Sequence, residues 1–287
     1  MIYILLSILS SAFIFVIFKF FGKNKIDNLQ AIVTNYIVAA MFGSFFIGEP
    51  INEILQKSYL PYALFCGCLF ISLFFIMAVT TQKMSMAVSS VATKMSLVIP
   101  VVFFLIMYEN ETASIYKIIG VMLALVGVYF AVAPNNGIQI NSKLYILPII
   151  LFFGSGVLDI LLAFVENKFL NTPSDQTIFT AIPFATAAVF GCLIILYKII
   201  FKNEKIELKN IFGGIVLGIV NYGSIYFLIK SFATKLLEKS AIIPLNNIAI
   251  VVVSALLGMV IFKEVLSRKN IIGISFCIVA IFLLSNF

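Results

Sequence analysis

The sequence contains no histidine, and only 11% of its 287 residues are charged. Histidine is the commonest metal ligand and a frequent proton carrier near neutral pH, so its absence argues against both kinds of site. A soluble domain carries about a quarter charged residues, which excludes an ordinary water-soluble fold. The short loops hold no cluster of acids and no glycine-rich phosphate-binding segment. We therefore predict that the chain is not an enzyme and has no catalytic residue, metal or cofactor.

Long apolar runs recur along the chain. Apolar residues make up 62% of the chain, and its mean hydropathy is +1.16. A hydrocarbon core about 30 Å thick needs roughly 20 helical residues to cross it, and runs of that size recur without the alternation of a barrel strand. We predict an all-α integral membrane protein with ten transmembrane helices, at about residues 2–20, 29–47, 59–81, 87–107, 115–134, 144–165, 177–199, 210–230, 240–262 and 270–286.

The excess of positive charge lies beside the ends of these runs. The formal net charge is +7, and the lysines are placed where they would meet lipid head groups or set the topology. We therefore predict contact with membrane lipid and no nucleic-acid partner. The four cysteines lie inside apolar runs, where we expect them to pack as small apolar residues. Lysine and arginine are more numerous in the loops opposite the termini, which by the positive-inside rule places both termini outside.

One ten-residue pattern occurs twice and joins two apolar runs each time. The pattern Glu-x-x-Ser-x-x-x-Ile-Ile-Gly spans Glu111–Gly120 and Glu264–Gly273, an offset of 153 residues. A duplicated helical hairpin is typical of transporters built from two repeats. The polar connection at 134–143 divides the chain, so we predict five-helix repeats at 1–137 and 138–287. Five crossings separate the two copies, and an odd number of crossings makes the repeats inverted.

With this motif in two five-helix halves, the chain resembles the EamA-like transporters of the drug/metabolite transporter superfamily over its whole length. In that family the fourth helix of each half ends near a Gly-Glu pair, whereas here Asn110 precedes Glu111 and Lys263 precedes Glu264. The resemblance implies a multi-pass protein of the plasma membrane (the inner membrane in bacteria) that carries small organic solutes such as amino acids, metabolites or drugs. It also implies cytoplasmic termini. The lysine distribution implies the opposite, and both orientations stay open.

Polar side chains within the apolar runs are the candidate solute-binding residues. Lys94 lies mid-span on the fourth helix, and because an unpaired ammonium at the bilayer centre costs ~3 kcal/mol, we expect it to face the bundle interior. It could attract an anionic solute group or pair with Asp159 on the sixth helix. The motif offset carries Lys94 onto Asn247, also polar and mid-span. A proline beside two amides, Pro244 with Asn246 and Asn247, suits a broken helix that binds a solute, and we favour Asn247 of the two.

Two other helices contribute candidates. Asp159 lies deep in its predicted span, and a buried carboxyl holds its proton more tightly, which suits it to carry a coupling proton, whereas a nearby Lys94 would oppose this by favouring the carboxylate. Asn221 and Tyr222 on the eighth helix place an amide beside an aromatic ring, which suits a partly apolar organic solute. On the same helix, Gly214 and Gly218 predict close packing against a neighbouring helix.

Three other acids lie near helix ends. Glu111 and Glu264 each precede an apolar run, so we expect each carboxylate to cap the following helix in a structural or gating role. Glu166 follows Asp159 by two helical turns and is predicted to be a solvated helix end.

The predicted function follows from the repeats and from the polar positions. We expect a secondary transporter that moves a small organic solute by alternating access around a central cavity lined by Lys94, Asp159, Asn221, Tyr222 and Asn247. The alternatives are a membrane-embedded lipid-modifying enzyme, and a channel or scaffold without carrier activity. The assembly is expected to be a monomer or a homodimer.

Overall fold

The structure is a computed structural model that describes residues 2–45, 47–107, 115–132, 142–233 and 239–286. All regular structure in these ranges is helical, including a short 3₁₀ turn at Ser142–Tyr145. The α-helices are α1 Ile2–Lys23, α2 Asn28–Ser44, α3 Ile51–Ile54, α4 Leu60–Lys83, α5 Met86–Met95, α6 Val98–Met107, α7 Ile115–Val132, α8 Ile146–Phe169, α9 Pro173–Lys202, α10 Leu208–Ala233, α11 Lys239–Phe262 and α12 Arg268–Asn286.

These helices follow the predicted spans, with two differences. The short helix α3 lies in the connection after α2 and was not predicted. The helix predicted at 87–107 is present but interrupted, because the chain there forms α5 and α6, separated by Ser96 and Leu97. Pro100 explains the break, since a proline has no N–H and its ring clashes with the carbonyl four residues earlier. That carbonyl belongs to Ser96, and it accepts a hydrogen bond from the Ile99 N–H at 2.8 Å instead.

Several helices have the length and composition of membrane spans. Two further apolar helical segments, Ile118–Ala131 and Asn246–Phe262, are shorter. The described chain is therefore all-helical, and it has repeated apolar segments of membrane-crossing length. The six that are long and apolar enough to cross a bilayer are Ile2–Lys23, Leu60–Lys83, Met86–Phe103, Lys143–Phe169, Ser174–Lys202 and Leu208–Leu228.

The chain divides into two compact units. Unit 1 comprises Met1–Phe20, Ile76–Val157 and Gly223–Phe287, and unit 2 comprises Phe21–Phe75 and Leu158–Tyr222. Each unit draws residues from both sides of the connection between the predicted halves. The halves 1–137 and 138–287 therefore describe a repeat in the sequence and not two compact bodies, and as repeat boundaries they stay a prediction.

In unit 1, α7 and α12 make the most extensive helix–helix contact, and glycine makes it possible. A Cβ added to Gly273 would overlap the backbone nitrogen of Ala131 and would lie 2.7 Å from the carbonyl oxygen of Gly127. Small residues let two backbones approach this closely within a membrane. The start of α12 is tied to the end of α7 as well, because the Asn270 side chain donates a hydrogen bond to the Ala131 carbonyl at 2.9 Å.

In unit 2, α2 packs against both α9 and α10. A Cβ on Gly214 would lie 2.5 Å from the carbonyl oxygen of Ala31, and a Cβ on Gly218 would lie 3.0 Å from that of Asn35. The predicted close packing of these two glycines is therefore confirmed. We call this contact the α2–α10 seam. Buried amides also join it, since the Asn210 side chain of α10 donates to the Gln30 side chain of α2 at 2.8 Å.

Candidate functional site

The candidate site in unit 1 is built on the pair of packed helices α5 and α11. Met86, the first residue of α5, lies beside Gly258 near the end of α11. Farther along, Val91 of α5 and Val251 of α11 belong to one buried apolar cluster. Because the start of one helix meets the end of the other and the two pack side by side, they run in opposite directions. This register fixes which residues of the two helices lie at the same depth.

Lys94 and Asn247 lie at nearly the same depth in this pair. Lys94 follows Met86 by eight residues, and Asn247 precedes Gly258 by eleven. At about 1.5 Å per residue, they are roughly 12 and 16 Å from the shared end, a difference of less than one helical turn. The break after α5, at Ser96, falls between these two depths. Both side chains are partly buried, so the structure places a cation, an amide and a helix break at one level of unit 1.

The neighbouring amide, Asn246, is more deeply placed than Asn247. Its residue is 4% exposed, and its side-chain oxygen Oδ1 is buried with no hydrogen-bond partner among the described residues. The helix α11 runs through Pro244 without interruption. The break predicted near Pro244 is therefore wrong, and the broken helix of this pair is α5–α6. Because Asn246 is more deeply buried than Asn247, it is a better candidate for a binding residue than the sequence indicated.

At the shared end of the helix pair, the Glu264 carboxylate contacts both α1 and α5. It pairs with the Lys19 ammonium of α1 at 2.6 Å. It also accepts the backbone N–H of Met86, at 3.1 Å from one of its oxygens, at the start of α5. The Lys19 ammonium in turn donates to the carbonyl of Thr81 near the end of α4. The Glu264 side chain is 9% exposed and that of Lys19 is 16% exposed, so this ion pair is largely shielded from water.

Glu264 caps a helix, as predicted, but the prediction named the wrong helix. Its carboxylate caps α5 and not the following helix α12, whose start is held by Ser267 and Asn270. The Asn270 Oδ1 accepts the backbone N–H of Ser267 at 2.9 Å, and the Ser267 hydroxyl accepts that of Asn270 at 3.2 Å. Glu111, the other copy in the motif, lies outside the described residues.

The other predicted site residues lie in unit 2. Asp159 is partly buried in α8, while Glu166 near the end of that helix is exposed, as predicted. Asn221 is buried in α10, and its side-chain N–H₂ donates to the Oδ1 of Asn35 at 3.1 Å. The ring of Tyr222 stacks on Phe42, with ring centroids 5.2 Å apart. Asn221 thus belongs to the α2–α10 seam, and its amide is engaged in joining two helices.

Asn35 is a buried polar residue that the sequence analysis missed. It is fully buried on α2, and its side-chain nitrogen has no hydrogen-bond partner among the described residues. One signal was present, since Asn35-Tyr36 repeats the dipeptide Asn221-Tyr222 within another apolar run. Of the predicted site residues, unit 1 holds Lys94 and Asn247, and unit 2 holds the other three. Their shared role in solute binding stays a prediction.

A second group of charges lies at one end of unit 2, which we call the Lys57 cluster. The Lys57 ammonium lies 3.0 Å from a Glu49 oxygen and 2.9 Å from Asp175 Oδ1. The Tyr59 hydroxyl donates to the same Asp175 oxygen at 3.2 Å, and the Ser174 hydroxyl donates to Glu49. Hydrogen bonds from Ser174 and Lys57 lower the pKa of Glu49. Hydrogen bonds to Asp175 and Glu49 raise the pKa of Lys57 above its usual range.

These shifts predict a pH window for the stabilisation by the Lys57 cluster. The contribution of Glu49 is complete above its ordinary pKa of 4.5 and is lost as the pH falls through the lower folded value. The contribution of Lys57 is complete below its ordinary pKa of 10.5 and is lost as the pH rises through the higher folded value. We expect Lys57→Met to lower the melting temperature by an amount that is constant between these values and shrinks on either side. Melting curves of both proteins in detergent across this range measure it.

The control for this prediction is Lys202→Met, which removes an exposed lysine at the far end of α9. Its effect should be small and should not follow the same pH profile. A melting-temperature difference for Lys57→Met that stays constant below pH 4.5 would contradict the assignment, because protonated Glu49 can no longer form an ion pair with Lys57.

Metal ligands do not cluster in the part of the chain that the structure describes. In those ranges no three side chains among histidine, cysteine, aspartate and glutamate come close enough to hold a metal ion. Cys277 is a free thiol in the apolar cluster of unit 1, and Cys66 is a free thiol in that of unit 2. Both fill space between helices, as the sequence predicted for thiols inside apolar runs.

Comparison with known proteins places the chain among relatives of the same length. No protein-family profile matches the sequence. A crystal structure described only as that of a protein shares the fold, with a TM-score of 0.61 over 98% of this chain and 94% of its own, at 13% sequence identity. A protein of Haemophilus influenzae, named only as uncharacterized, is 30% identical over an alignment that covers 98% of this chain and 96% of that protein. The chain belongs to the same family as this Haemophilus influenzae protein.

Proposed function

We propose that the chain is a secondary transporter that carries a small organic solute across the plasma membrane by alternating access. In this proposal ten helices cross the bilayer as two inverted five-helix repeats, in the manner of the EamA-like transporters that the sequence resembles. The partners are the solute, membrane lipid and a coupling proton or ion, and the assembly is a monomer or a homodimer.

The observation that carries this proposal is the pairing of corresponding helices. The helices α2 and α9, α5 and α11, and α7 and α12 are in contact, and they are the second, fourth and fifth helices of the two predicted halves. In addition, α5 begins at Met86 and α11 at Lys239, which is the 153-residue offset of the repeated motif. Pairwise contact between counterparts is expected when two repeats are related by a two-fold axis. Inverted repeats of this kind are a common basis of alternating access.

The polar residues of the α5–α11 pair support a solute carrier over a scaffold. Lys94, Asn246 and Asn247 lie in apolar helices, where ionisable and amide groups are costly and usually functional. They also lie level with the break between α5 and α6, and irregular backbone within a membrane protein occurs where it is buried or lines a cavity. A scaffold has no need of a cation, a buried acceptor and a helix break at one depth.

Solute uptake into proteoliposomes tests the proposal. Wild-type protein should give saturable uptake of at least one amino acid, nucleoside, sugar or cationic dye. We expect Lys94→Ala or Asp159→Asn to reduce uptake at low solute concentration by about ten- to a hundredfold, because a hydrogen bond to a charged group contributes about 1.5–3 kcal/mol. Lys202→Met, which alters an exposed lysine, should leave uptake unchanged.

The other outcomes separate the alternatives. Unsaturable flux at rates far above carrier turnover would identify a channel. Product formation from a labelled lipid would identify an enzyme. If wild-type protein transports a solute and both variants transport it equally well, Lys94 and Asp159 do not belong to the binding site.

A further inference from the structure

We propose that the Oδ1 of Asn246 is the acceptor that selects solutes carrying an N–H or O–H donor. This inference rests on the proposed transport function and names a property of its substrate. The carrying observation is that this oxygen is buried, in a residue only 4% exposed, with no hydrogen-bond partner among the described residues. A buried carbonyl oxygen without a donor is unfavourable, and such groups in native proteins are few and call for an explanation.

Among the described residues, three buried amides besides Asn246 and Asn35 show what a purely structural amide does. Asn210 donates to Gln30, and Asn221 donates to the Oδ1 of Asn35. The amide of Asn270 accepts from Ser267 and donates to the end of α7. In each case the carbonyl oxygen that takes part receives a donor, from α10 for Gln30 and Asn35 and from Ser267, just before its own helix, for Asn270. Asn246 departs from this pattern at its carbonyl oxygen, so joining helices does not account for it.

The position of Asn246 indicates what else the solute carries. It precedes Gly258 by twelve residues, so it lies roughly 18 Å from the shared end of the α5–α11 pair, against roughly 12 Å for Lys94. The two backbone positions are therefore about one helical turn apart in depth, on helices that pack together. A solute that uses both carries an anionic oxygen for the ammonium and a donor for the amide oxygen. Amino acids and hydroxy acids have this chemistry, and their methylated derivatives lack the donor.

Two matched pairs of solutes test the inference in proteoliposomes. Alanine is compared with N,N,N-trimethylalanine, and lactate with 2-methoxypropionate, because methylation removes the donor and keeps the carboxylate. Wild-type protein should take up the donor-bearing member about tenfold or more faster at low concentration. In Asn246→Leu, which is nearly the same size and has no acceptor, the ratio should fall to about one. The protein should melt at the same temperature or higher, since an unpaired polar group has been replaced by an apolar one.

Controls separate failure of this inference from failure of the transport proposal. Ser254→Ala changes a buried hydroxyl of α11 that bonds within its own helix, to the Val251 carbonyl, and it should keep the wild-type preference. Equal uptake of both members of each pair by wild-type protein, or an unchanged preference in Asn246→Leu, would overturn the role of Asn246 and leave the transporter standing. No saturable uptake of any of the four solutes would overturn transport of this class and the inference with it. If Asn246→Leu is not recovered, the melting temperature of wild-type protein should rise with alanine and not with its trimethyl derivative, and equal shifts would refute the role of the acceptor.

Discussion

Gly273→Ala should destabilise the protein by about 3 kcal/mol or more, the upper end of the usual cost of overpacking. The new methyl group would overlap the backbone nitrogen of Ala131 and would lie 2.7 Å from the carbonyl oxygen of Gly127. Backbone atoms of a packed helix cannot swing aside as a flexible side chain can. The helices α7 and α12 would have to separate along their whole contact. Unfolding in detergent, followed by circular dichroism, measures the effect.

The matched control is Gly223→Ala, a glycine within α10 in the same unit. The nearest side-chain atom to its new methyl group is in Phe227, at 3.6 Å, an ordinary van der Waals distance. Alanine is favoured over glycine within a helix by up to about 1 kcal/mol. This variant should therefore be as stable as wild type or slightly more so. Equal stability of the two variants would mean that α7 and α12 do not approach as closely as the structure shows.

Glu264→Ala is expected to have the second-largest effect, about 2–4 kcal/mol. Removing one partner of a largely buried ion pair costs about 3–5 kcal/mol, because it leaves the other charge unpaired, and the partial exposure of Lys19 reduces this. The substitution also removes the acceptor of the Met86 N–H at the start of α5. Glu264→Gln keeps an acceptor and loses only the charge, so its effect should lie between those of wild type and Glu264→Ala. Thermal unfolding of the three proteins tests this order.

Two further variants isolate the ion pair. Glu166→Ala removes an exposed acid and should change the free energy of unfolding by less than about 0.5 kcal/mol. Lys19→Met combined with Glu264→Ala should cost less than the sum of the two single changes, because the second removes a charge already without its partner. Additive effects would show that Lys19 and Glu264 do not interact.

The helices could be predicted from the sequence because their signal is local. An apolar run of about 20 residues identifies a helix without reference to the rest of the chain, and the helix predicted at 240–262 is observed as Lys239–Phe262. The repeat offset also predicted a relation between residues that are far apart in the chain. It paired Lys94 with Asn247, and the antiparallel register of α5 and α11 places them at nearly the same depth. The break beside them could also have been predicted, since Pro100 acts on the carbonyl four residues earlier.

The contacts between distant elements could not be predicted in the same way. Capping rules concern neighbouring residues, so Glu264 was assigned to the next helix, whereas its carboxylate reaches Met86, 178 positions earlier. Asn35 was passed over for a similar reason. An amide in an apolar run shows that some partner is needed, but only the packing of α2 on α10 identifies Asn221 as that partner. In the same way, only the burial in the folded structure identifies Asn246, and not Asn247, as the better candidate for binding.

The close contact of α7 and α12 at Gly127 and Gly273 has a consequence for how the protein is made. The ribosome releases α7 well over a hundred residues before α12 exists. At synthesis rates of about 5–20 residues per second, this interval is on the order of ten seconds. Throughout it, the surface of α7 around Gly127 lacks Gly273 and Cys277, which α12 supplies. The contact between α7 and α12 in unit 1 can therefore form only after α12 has been translated, and a chain that stalls before α12 lacks this contact.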